Sequence, residues 1–79
     1  MITQPTMPAC QALAADPARF LFKLHLQRLV TSTSAKLQRH EAIRLSGYLS
    51  GLLENELITE AQLDAVSDEI YAFAWGPRS

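Results

Sequence analysis

His25, His40 and Cys10 are the side chains in this 79-residue sequence best suited to nucleophilic, acid–base or metal chemistry. A nucleophile needs a base within hydrogen-bond reach and a third group to orient that base. Cys10, Asp16 and His25 are too scattered along the chain to define such a set, and no serine sits in a nucleophile-elbow context. His40 and Glu41 are adjacent, so their side chains diverge on a helix. His40 reads as a solvated helix residue and His25 as one at a core edge. One cysteine and two histidines make a poor structural zinc set. Glu60, Asp64 and Asp68 recur at four-residue steps, which aligns three carboxylates along one stripe of a helix. No glycine-turn calcium loop accompanies them, so a solvated face is the simpler account. The expectation is a protein that is not an enzyme, with no metal site and no cofactor.

A chain of this length allows one domain and a small core. Such a core rarely supplies more than roughly 3–5 kcal/mol, and a single cysteine excludes an intramolecular disulfide. Self-association is the reinforcement that remains. Residues 1–15 contain no Lys or Arg and no long apolar run, so no signal peptide is expected. Nowhere do roughly 18 apolar residues occur in succession, which argues against a membrane span. The cytoplasm is the expected location. The net charge of −1 conceals a split. Between residues 19 and 44 six bases face one acid, a net +5, and between 54 and 69 six acids face no base, a net −6. That asymmetry either steers a charged partner or is consumed between neighbouring helices.

The elements that position these groups are helical throughout. Pro5 and Pro8 mark residues 1–15 as a flexible lead with one short helical turn near residues 9–14. Asp16 and Pro17 supply an N-cap and a proline at the first helical position, which predicts a helix over residues 17–30. The polar break at 31–34 ends in Ser34, a cap for a second helix over 35–54. Ala42, Leu45, Leu49, Leu52 and Leu53 fall on one face of it, and Asn55 offers a left-handed stop. Thr59 and Gln62 form a capping box, with Ile58 and Leu63 at the two positions of a hydrophobic staple. A third helix over 60–75 then buries Leu63, Val66, Ile70 and Phe73, and Gly76-Pro77 ends it. The expected fold is all-α: a single helical domain over residues 16–76, with three helices, the second and third forming an antiparallel hairpin. The segment LLENELITEAQL resembles the turn of short bacterial helical-hairpin domains, without the glycine usual there. That resemblance implies a hairpin and no activity.

Two surfaces stand out. The first helix is apolar on two sides: Phe22, Leu26 and Leu29 share a face with Ala18, while Phe20 and Leu24 lie nearly opposite. A helix apolar on two sides is usually covered on two sides, so Phe20, Phe22, Leu24, Leu26 and Leu29 are the expected self-association residues of a dimer. Its alternative is a central helix buried within one chain. On the second helix Lys36, His40, Arg44, Gly47 and Gly51 lie away from the leucines. Glycine inside a helix costs about 1 kcal/mol relative to alanine, so two in the stretch SGYLSG call for a reason. Small residues four apart let another backbone approach closely. These five positions are therefore the expected partner-binding groove, unless the glycines pack against the first helix or simply face solvent. Tyr71 and Trp75 are candidate anchors at an interface, or alternatively cover the base of the core.

The expected function follows from these surfaces: a homodimeric protein–protein interaction module, a regulator or inhibitor of another protein. In size and composition the chain resembles accessory proteins of phages, plasmids and other bacterial mobile elements. The alternative is a dimeric basic helical hairpin that binds RNA or DNA through Lys36, Arg39 and Arg44. Against it stand a pI of about 6.0 and the acidic start of the third helix, which would repel phosphate from a recognition position.

Overall fold

Pro8 opens a helix inside the segment expected to be a flexible lead. The computed structural model describes residues 7–76, and their regular structure is entirely helical. Helix α1 spans Pro8–Ala14, a 3-10 turn spans Pro17–Arg19, and α2 spans Phe20–Thr31. Helices α3 (Ala35–Glu54) and α4 (Glu60–Trp75) coincide with the expected 35–54 and 60–75. The chain therefore has four α-helices among the described residues where three were expected. Residues 7–14 belong to the core rather than to a lead.

The added helix is short, and seven residues are too few to hold helical structure alone. Burial and an anchor hold it. Met7 and Cys10 lie three residues apart on one face and are both buried, with Leu13 and Ala14 packed beside them. The first N–H groups of any helix lack partners within it. Here Ala9 donates to one carboxylate oxygen of Glu69 at 2.8 Å and Cys10 to the other at 2.9 Å. Glu69 sits on α4, so one side chain satisfies two donors and ties the start of α1 to the middle of α4. Negative charge at that end also meets the positive pole of the helix.

The expected helix over 17–30 begins instead as the 3-10 turn. Asp16 caps it by accepting from the Ala18 N–H at 2.9 Å. Helix α2 then buries Phe22 and Leu29 completely and leaves Leu26 partly covered against the core. The Phe22 ring stacks near Tyr48 of α3, centroids 6.3 Å apart. His25 lies 3.3 Å from Glu41, a second link between α2 and α3. The turn between them is fixed by the Gln38 amide donating to the Ser32 carbonyl at 3.0 Å, and Ser34 caps α3 as expected.

Ala42, Leu45, Leu49 and Leu52 form the buried stripe of α3, with Leu53 at its edge. The helix ends in a Schellman arrangement: Leu57 N–H donates to Leu52 O at 2.9 Å and Glu56 N–H to Leu53 O at 3.0 Å. Glu56, φ 59°, takes the left-handed position. Asn55 was expected there; it keeps φ at −91° and turns its amide back to Gly51 O. Both halves of the capping box form at the start of α4: Thr59 Oγ1 accepts from Gln62 N–H at 3.1 Å, and Gln62 Oε1 accepts from Thr59 N–H at 2.8 Å. Ile58 is buried and Leu63 packs against the core, so the two staple positions join it. Val66, Ile70 and Ala74 are the buried stripe of α4, with Phe73 beside them. Gly76, φ 91°, ends the helix; Pro77 lies outside the described residues.

Helix α3 packs against α2 and α4, and α1 packs against α4 and α2, which closes the four helices around one core. No helix among the described residues is long and apolar enough to cross a membrane.

Two expected outcomes test these joints. Thr59→Ala removes the cap oxygen and should cost about 0.5–2 kcal/mol, read as a lower urea midpoint; an unchanged midpoint would show that Thr59 does not hold the start of α4. Glu69→Ala strands the Ala9 and Cys10 donors and should cost about 1–3 kcal/mol. The Cys10 thiol, fully buried while α1 is docked, should then react with a thiol reagent several times faster. Equal reaction rates in variant and wild type would remove Glu69 as the anchor.

Candidate protein-binding surfaces

Lys36, His40, Arg44, Gly47 and Gly51 lie on the face of α3 that no other helix covers. Gly51 is half-buried and the other four are exposed. The Arg44 guanidinium reaches His40 Nε2 at 3.4 Å, so the two hold one another along the ridge. Nothing lies within 4 Å of where a β-carbon would stand on Gly47 or Gly51. Close packing of another helix of the same chain is thereby excluded as the reason for the glycines. Leu37 and Ile43 flank the ridge, 56% and 62% exposed. Neither was among the candidate residues. Their signal was present, however: Ile43 is two positions from Leu45, about 200° around the helix, and so cannot share its buried stripe.

Arg39 extends this surface toward α4. Its guanidinium carbon lies 5.9 Å from the centre of the Trp75 ring, within cation–π range. Trp75 and Tyr71 have ring centroids 5.0 Å apart, and Trp75 remains 42% exposed. The anchor candidates thus sit together, next to a cation of the same half of α3. Glu41 is paired with His25, while Lys36, Glu60 and Asp64 have no ion-pair partner among the described residues.

The self-association set divides. Phe22 and Leu29 are fully buried in the monomer and Leu26 packs on the core, so these three are withdrawn from any large contact with another chain. The physical reason is that α1, absent from the expected fold, supplies part of the cover α2 needed. Phe20 and Leu24 remain on the outer side, Phe20 65% exposed and Leu24 half-buried. Leu21 joins them as an exposed apolar side chain.

A second recess runs between α1 and α4, with a volume of about 390 Å3. Ala9, Ala12 and Leu13 form one wall, Ala61 and Ala65 the other, and Ile58 and Val66 lie beneath. Asp16, Arg19 and the exposed Leu57 complete its lining. Sequence reasoning could not have found this groove without α1, which forms one side of it.

Cys10, the one thiol, is sealed in the core and donates weakly to the Val66 carbonyl at 3.7 Å. Burial first, then the hydrogen bond and negative charge of Glu69, push this thiol well above its ordinary range, so it stays protonated and unreactive. Among the described residues no three His, Cys, Asp or Glu side chains are grouped to hold a metal ion.

The open space at the glycines fixes the sign of one substitution. Gly47→Ala and Gly51→Ala should each stabilise the isolated chain, by up to about 1 kcal/mol. A loss of stability in thermal or urea unfolding would mean that another backbone lies against this face in solution.

No protein-family model, no curated protein and no solved structure matches this chain.

Proposed function

We propose that this protein is a small, non-enzymatic protein–protein interaction module, a homodimeric regulator or inhibitor that binds another protein through the outer face of α3. The observation that carries the reading is the pair of exposed apolar side chains, Leu37 and Ile43, set among Lys36, Arg39 and Arg44 on an uncovered helix face. Apolar side chains dispersed singly over a surface need no explanation, but two on one helix face beside fixed cations make an amphipathic contact zone. The flat, open glycine positions beside them admit a helix at close range. The fitting partner presents an acidic amphipathic helix: apolar groups against Leu37 and Ile43, carboxylates toward Lys36 and Arg44. In this reading α3 and α4 act as an antiparallel hairpin, with Trp75 and Tyr71 extending the contact at one end. A cytoplasmic accessory protein of a phage, plasmid or similar element is the biological class this suits.

Affinity capture from bacterial lysate, with and without nuclease, tests the reading. Capture of a protein partner should resist nuclease, and Ile43→Glu, on an exposed position, should abolish it while leaving helical content intact. Arg44→Glu should weaken capture by about tenfold or more if the partner is acidic. Capture that nuclease abolishes, or that falls steeply with added salt, would instead mean RNA or DNA binding by the basic face. Undiminished capture by Ile43→Glu would end the assignment to α3.

A further inference from the structure

We propose that the groove between α1 and α4 receives Phe20 of a second copy of this chain, in a two-fold arrangement in which each copy gives a knob and offers a groove. The inference rests on the self-association read above and names the surface that performs it. Phe20 opens α2 and is 65% exposed, so it does not occupy the groove of its own chain. It follows directly on Arg19, which lines that groove. Knob and hole therefore lie side by side on one surface, as an isologous contact requires, since the same patch must serve both partners.

The walls of the groove suit such a knob. Alanines on both sides, Ala9 and Ala12 facing Ala61 and Ala65, leave an apolar space of about 390 Å3 open to solvent. An aromatic ring entering it covers Ile58 and Val66, while Leu21, half exposed, and Leu57 extend the contact at the rim. Charge decides in favour of a second copy over an unrelated apolar partner. Asp16 and Arg19 both line the groove, and neither has an ion-pair partner within its own chain among the described residues. One oxygen of Asp16 caps Ala18, and Arg19 reaches the Ala18 carbonyl. A two-fold axis beside them sets Arg19 of each copy against Asp16 of the other, so both charges are satisfied twice.

Sedimentation equilibrium of the full chain at micromolar concentration, with circular dichroism to confirm folding, tests this. Wild type should run at twice the 8.8 kDa chain mass. Phe20→Glu and Ala61→Leu, both at exposed positions, should run at the chain mass with helical content unchanged. Asp16→Arg and Arg19→Asp should each weaken dimerisation by about tenfold or more, because like charges then meet across the axis, and the double variant should recover it. Arg44→Glu, on the α3 face, should stay dimeric. A dimer that survives Phe20→Glu and Ala61→Leu, or one lost in Arg44→Glu instead, would overturn this docking and leave self-association standing. A wild-type chain found only at the monomer mass would overturn both.

Discussion

The structure hangs on a carboxylate. Glu69 accepts from the N–H groups of Ala9 and Cys10, and through them holds a seven-residue helix that could not persist alone. That helix in turn closes the core: Met7 and Cys10 supply two of its buried side chains, and α1 covers parts of both α2 and α4. Three features follow from this one attachment. Phe22 and Leu29 can be fully buried inside a single chain because a fourth helix is present. Cys10 is inert because the same carboxylate and the same packing surround it. The groove lined by Asp16 and Arg19 has two walls only because α1 stays docked.

Much of this was readable from the residues, and the largest failures share a cause. Helices α3 and α4 were legible to the residue because each carries a strong local signal at its ends: Ser34 at one, the Thr59–Gln62 box at the other. Their buried stripes followed from three- and four-residue spacing. The start of α2 was less clear, since Asp16-Pro17 caps a 3-10 turn as readily as an α-helix. Helix α1 was reduced to a single turn because its decisive partner, Glu69, lies 60 positions away. No local pattern announces that a carboxylate on α4 will cap a helix near the amino end. The same blindness placed Phe22, Leu26 and Leu29 on a surface, for the helix that covers them was not counted. Asn55 and Glu56 exchanged roles for a smaller reason: the asparagine amide found Gly51 O and left the left-handed position to its neighbour.

The candidate surfaces were half visible. The cationic ridge of α3 was evident from its register, and the glycines from their cost. Leu37 and Ile43 are not distinctive in the sequence, because single apolar residues outside a buried stripe are common on helix surfaces and become a contact zone only once the fold leaves that face uncovered. The charge halves also gain meaning from the fold. Sequence alone left open whether bases and acids neutralise each other between helices. In the structure His25–Glu41 links α2 to α3, whereas Lys36, Glu60 and Asp64 are exposed and have no ion-pair partner among the described residues. Exposed bases on α3 and exposed acids on α4 give the surface a charge pattern suited to oriented encounter with a partner.

The distance along the chain between α1 and its anchor has a consequence in time. A helix of this kind forms within microseconds, but protein synthesis adds only about 5–20 residues each second. Residues 9 and 10 therefore wait roughly 3–12 s for residue 69 to be made, given the 60 positions between them. Throughout that interval Cys10 lacks the cover of Val66 and Glu69, and α3 can pair only with α2. Among the described helices, α1 is translated first and secured last. Because α1 is one wall of the alanine-lined groove and α4 the other, that recess exists only once α4 has been made and α1 has docked on it.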